Sequence, residues 1–107
     1  MEENSISESL IIKQQIKDLV VDFMRTNLYD IPKEFWGKNE FDHIINIGVS
    51  ILSYKWELET HPGSFVKAVV DNDLMGAFAK ADHINQKVLK IYCKMLYNIP
   101  RPNDIRS

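Results

Sequence analysis

A chain of 107 residues, 45% hydrophobic and 26% charged, has the size and composition of one globular domain with a single modest core, which excludes a disordered polypeptide. Thirteen Lys and Arg against fifteen Asp and Glu leave a formal charge of −2. Without a clustered basic surplus to neutralise phosphates, general nucleic-acid binding is disfavoured, and the lone Cys93 excludes an internal disulfide or a cysteine-rich zinc site.

The chain opens MEENSISES, acidic and polar, unlike a basic-then-apolar leader. Its apolar runs fall far short of the roughly 20 residues that span a bilayer. The expectation is a soluble cytoplasmic protein with no membrane partner. Ser5-Ile6-Ser7-Glu8 matches a capping box, and Leu10, Ile16, Leu19, Val20, Phe23 and Met24 follow at helical spacing, which predicts a helix over 6–26. Residues 27–41 form an aromatic-rich stretch punctuated by Pro32 and Gly37. Leu28, Tyr29, Ile31, Phe35, Trp36 and Phe41 are too apolar for a free linker, so an ordered loop pinned to the core is expected.

Asp42 reads as the N-cap of a second helix over 42–59, with Ile44, Ile45, Ile47, Ile51, Leu52 and Leu58 as its stripe. Its β-branched residues would also suit a strand, but length and the spacing of apolar pairs favour helix. His61-Pro62-Gly63 breaks the chain. The motif region 63–98 then holds two short helices, SFVKAVV and LMGAFAKA, separated by Asp71-Asn72-Asp73. Asp82 reads as the N-cap of a last helix carrying Ile84, Val88, Leu89, Ile91, Tyr92, Met95 and Leu96, with Asn98 as a left-handed C-cap before Pro100 and Pro102. Residues 99–107 read as a loose tail. The prediction is an all-α, compact small domain of about four to five helices. It is expected to form a homo-oligomer by burying a face such as Tyr54–Leu58 or Tyr92–Met95–Leu96.

His43, His61 and His83 with Asp42, Asp71, Asp73 and Asp82 invite a metal site, but no ligand motif spaces them, and surface or cap roles are expected. Asp71, Asp73 and His61 could form an acid–base set, yet no nucleophile or phosphate-loop motif accompanies them, so neither catalysis nor a cofactor is expected. Cys93, among Tyr92, Met95 and Leu96, reads as a buried small hydrophobe. The aromatics Tyr29, Trp36, Phe41, Tyr54 and Trp56 suit core or interface before base stacking.

Asn72 and Asp73 can end one short helix and cap the next, although Gly76 at the third helical position completes no capping box. The functional alternative is a ligand site in which helix amides face an anion. Lys80, Lys67 and Lys87 would then supply charge, while Asn72, Asn85, Asp73 and Asp82 would contact the ligand's polar edges.

The stretch Pro62 to Pro100 resembles a group of short, largely uncharacterised proteins of bacteriophages and prophages. Their pattern is approximately P-G-x-F-L-x-A-V-L-x-N-D-L-x-x-A-x-x-R-A-D-x-x-N, followed by an apolar helix and Y-N-x-x-P. This chain supplies Pro62, Gly63, Phe65, Ala68, Val69, Asn72, Asp73, Leu74, Ala77, Ala81, Asp82, Asn85, Leu89, Tyr97, Asn98 and Pro100. It departs at Val66 and Val70, at Lys80 in place of Arg, and in lacking a C-W-G-type stretch after the motif. The resemblance carries over no reaction. It implies a viral accessory protein acting by binding in bacterial cytoplasm, either on a host protein or by sequestering a nucleotide signal of host defence. The resulting expectation is a non-enzymatic counter-defence protein that holds a small anionic nucleotide-like ligand, with ligand contacts at Asn72, Asp73, Lys80, Asp82 and Asn85. The alternative is a protein–protein inhibitor or adaptor using an exposed helix face.

Overall fold

The computed structural model describes residues 2–103 and 105, with side chains from Ser9 onward. In chain order the elements are α1 (Glu2–Thr26), 3₁₀ turns at Leu28–Asp30 and Lys33–Phe35, α2 (Lys38–Lys55), α3 (Ser64–Val70), α4 (Leu74–Lys80) and α5 (His83–Asn98). The described residues are thus all-α, with no strand among them. None of their helices is long and apolar enough to cross a membrane.

The β-branched stretch of α2 forms the central helix, against which α1, α3 and α5 all pack. Its face of Ile44, Ile45, Val49, Ile51 and Leu52 is buried, together with Ile16, Val20 and Met24 of α1 and Val88, Ile91, Tyr92 and Met95 of α5. Gly48 is where three helices meet. A Cβ there would stand 2.7 Å from Val20 Cγ1, 3.6 Å from Met95 Sδ and 3.7 Å from Met24 Cε.

Several expected boundaries move. Helix α1 begins at Glu2, upstream of Ser5, and the capping side chains Ser5 and Glu8 lie outside the described side chains. Helix α2 begins after Gly37, whose extended backbone starts it, so Asp42 sits inside the helix instead of capping it. It also ends early, because Glu57 takes the left-handed conformation (φ 63°) and the amides of Leu58 and Glu59 both donate to the Ser53 carbonyl. Asn98 remains helical, its side-chain Nδ2 donating to the Lys94 carbonyl at 2.7 Å. The helix stops at the extended Ile99, as a residue before proline dictates. Where looseness is expected, the tail is docked at Ile105. Ile105 is only 2% exposed, and its carbonyl accepts from Arg101 Nε at 2.6 Å.

The aromatic stretch is ordered by the two 3₁₀ turns. Phe35 is buried, Trp36 Nε1 donates to the Ile31 carbonyl at 2.9 Å, and His83 meets Phe35 edge-on. Tyr92 and Met95 are wholly buried, which removes the Tyr92–Met95–Leu96 face as a subunit interface. Exposed apolar side chains include Leu10 and Ile11 of α1 and Tyr97 of α5, and three of them share α4, where Leu74, Met75 and Phe78 are out and Ala77 is in.

Candidate functional site

At the α3–α4 junction the structure gives the polar residues a local task. Asn72 takes the left-handed conformation (φ 61°) that ends α3, which Asn tolerates better than most residues. Asp73 then caps α4 by accepting from the Gly76 amide at 2.9 Å. Gly76 leaves the room this needs, since a Cβ there would meet Asp73 Oδ2 at 2.1 Å.

The α4–α5 junction is built differently. Ala81 and Asp82 are both extended, turning the chain from one helix to the next. Asp82 Oδ1 caps α5 by accepting from the Asn85 amide at 2.7 Å, while Oδ2 lies 2.9 Å from His43 Nε2 on α2. Asn85 then turns inward and is 3% exposed. Its Oδ1 accepts from the Tyr92 hydroxyl at 2.8 Å. Residues seven apart on a helix share a face, which brings these two together. Burial first, and then the Asp82 charge, raise the Tyr92 hydroxyl far above the ordinary phenol range, so it stays a protonated donor. No described group accepts from Asn85 Nδ2.

Lys80, Asp82 and Asn85 face the α2–α3 loop across an open cleft of about 400 Å³. The opposite wall is Glu59, His61, Pro62 and Gly63, with Ile47 and Ser50 of α2 and the first residues of α3 between. Glu59 Oε1 accepts from the His61 backbone amide at 2.9 Å, holding that loop in a turn. Of the lysines expected to supply charge, Lys67 pairs with Asp71 and Lys87 with Glu34. Their hydrogen bonds raise Lys67 above the usual ammonium range and lower Glu34 below the usual carboxylate range. Lys80 has no hydrogen-bond or ion-pair partner among the described residues.

Among the five expected ligand contacts, the structure therefore gathers Lys80, Asp82 and Asn85 at the cleft with the Pro62–Gly63 turn. Asn72 and Asp73 stand outside it, at the neighbouring junction. The acid–base trio is likewise dispersed: His61 lines the cleft, Asp71 pairs with Lys67 and Asp73 caps α4. No group of three or more His, Cys, Asp or Glu is placed to hold a metal ion among the described residues. Cys93 is half-buried, and burial raises its thiol.

Sequence reasoning misses His43 as the partner of Asp82, as well as Ser50 and Glu59 in the cleft wall. His43 and Asp82 are 39 positions apart, and nothing local links them. The Asn85–Tyr92 pair does have a signal, its two-turn helical spacing. No family model, no curated protein and no solved structure matches the chain.

Chemically, the cleft offers one free ammonium, two carboxylates, an imidazole and an amide donor. That set can hydrogen-bond a small polar ligand, with Lys80 as its one positive charge beside the carboxylates of Glu59 and Asp82.

Proposed function

We propose that the protein is a non-enzymatic binding protein that takes a small anionic, nucleotide-like ligand into the cleft between the α2–α3 loop and the α4–α5 junction. The observation that carries this is Asn85. Its side chain is 3% exposed and lines the cleft, its Oδ1 is taken by the Tyr92 hydroxyl, and its Nδ2 has no acceptor among the described residues, which leaves a positioned donor for a ligand's polar group. The cleft of about 400 Å³ falls within the range of small-molecule sites. Lys80 meets the anionic group, and Asp82 and Asn85 meet uncharged polar groups. The sequence resemblance to phage proteins supplies the setting, namely sequestration of a signalling nucleotide in the cytoplasm of a bacterial host.

The test is calorimetric titration with cyclic and linear signalling nucleotides, followed by recovery of the ligand after denaturation. Sequestration predicts one tightly bound nucleotide returned intact, at least roughly tenfold weaker binding by Lys80→Ala, and unchanged binding by Asn72→Ala. Turnover under excess ligand would instead favour a nucleotide hydrolase and refute the reading.

A second reading rests on α4, where Leu74 is 50%, Met75 87% and Phe78 56% exposed. A short helix presenting such a face suits a protein partner, whether a second copy in a homo-oligomer or a host protein that the chain inhibits or adapts. It predicts that Met75→Lys abolishes self-association or capture of one host protein, while nucleotides change nothing.

A further inference from the structure

We infer that Asp82 and Asn85, with Tyr92 behind them, are the specificity element of the cleft and select a sugar phosphate, a ligand whose anionic group is carried on a hydroxyl-bearing portion. The inference rests on the reading of the cleft as a ligand site and deepens it by naming the chemistry that is recognised.

The reasoning starts from the orientation of one amide. An asparagine side chain can turn over and exchange its oxygen for its nitrogen, so the face it presents is set by its partners. Asn85 has a single side-chain partner, the Tyr92 hydroxyl at 2.8 Å, and Tyr92 is wholly buried. The hydroxyl stays protonated, because burial opposes its ionisation. Turning the amide over would leave that buried proton without an acceptor, which interiors rarely tolerate. Tyr92 therefore holds Oδ1 towards itself and leaves the Nδ2–H groups as a fixed donor for the cleft.

Asp82 complements that donor. Its two oxygens accept from the Asn85 amide at 2.7 Å and face His43 Nε2 at 2.9 Å, and each retains a further lone pair. A fixed donor thus stands beside an acceptor-only group. A hydroxyl satisfies both at once, donating to the carboxylate while accepting from the amide. A bare phosphate oxygen satisfies only the amide and is repelled by Asp82 and by Glu59 in the opposite wall. The anionic group is therefore directed to the free ammonium of Lys80, and the hydroxyls to Asp82 and Asn85. Tyr92 acts through Asn85 and is a positioning residue.

The experiment is titration of the full chain with ribose 5-phosphate and with inorganic phosphate, by calorimetry, for the wild type, Tyr92→Phe and Asp82→Asn. The quantity read is the ratio of the two affinities, which a general loss of stability would leave alone. Ribose 5-phosphate is expected to bind the wild type at least roughly tenfold more tightly than phosphate, and both variants should bring that ratio towards one. Equal binding of the two probes, both weakened by Lys80→Ala, overturns the selection while leaving the cleft as an anion site. A wild-type preference that survives unchanged in the variants overturns the assignment to this element. No binding of either probe at millimolar concentration overturns the ligand-site reading and this inference with it. Should Tyr92→Phe fail to fold, Asp82→Asn decides, because asparagine caps a helix as well as aspartate does.

Discussion

Replacing Asp82 by Ala and by Asn separates the tasks that the structure gives this side chain. The cap bond to the Asn85 amide is short at 2.7 Å, and losing such an N-cap costs about 1 kcal/mol. The contact with His43 is half-exposed, with side-chain exposures of 36% and 51%, so it adds at most a few tenths of a kcal/mol. Asp82→Ala should therefore lose about 1–1.5 kcal/mol, seen as a fall in Tm of roughly 4–10 °C for a domain of this size. Asn keeps the capping oxygen and gives up only the charge, so Asp82→Asn should stay within about 0.5 kcal/mol of the wild type. Thermal and urea melts of the three proteins decide the matter. If Asn falls as far as Ala, charge and not capping stabilises this junction. If neither variant changes stability, the cap geometry has no energetic meaning and the reasoning fails.

Gly48→Ala gains about 1 kcal/mol of helix propensity, but places a methyl 2.7 Å from the buried Val20 Cγ1. Overpacking of about 1–3 kcal/mol should win and lower the urea midpoint, and the same change in a Val20→Ala background should recover most of the loss. Ile105→Ala should cost at least about 2 kcal/mol, because the side chain is 2% exposed; a loss below about 0.5 kcal/mol would mean a free tail. The hydroxyl of Tyr92 is raised on folding, so above about pH 10 the unfolded chain releases a proton that the folded one keeps. Stability should accordingly fall as pH rises past 10, and Tyr92→Phe should lessen that fall in melts at pH 9 to 11.

The helical character was legible because apolar residues recur at helical spacing in α1, α2 and α5. The junctions were legible because Asn and Asp favour caps, as Asp73 and Asp82 show. Boundaries depended on conformations that composition does not announce. Glu57 ends α2 in a left-handed conformation usually given to Gly or Asn, and Gly37 starts it in an extended one. The docking of Ile105 was not legible, because Pro100 and Pro102 signal only the end of a helix and the docking is a long-range packing event. At the cleft, Lys80, Asp82 and Asn85 were legible as a polar group close in sequence. Their separation from Asn72 and Asp73 was not, because it depends on how α4 lies against α3.

Thermal melting against a panel of cyclic and linear signalling nucleotides, run in parallel on the wild type and Lys80→Ala, tests the central claim most directly. A nucleotide at 100 times its Kd stabilises the folded state by about 2.7 kcal/mol, a rise in Tm of roughly 10 °C or more at this size. The account predicts such a rise with one nucleotide class and its loss in Lys80→Ala. A flat panel, or a rise that Lys80→Ala leaves intact, would contradict it.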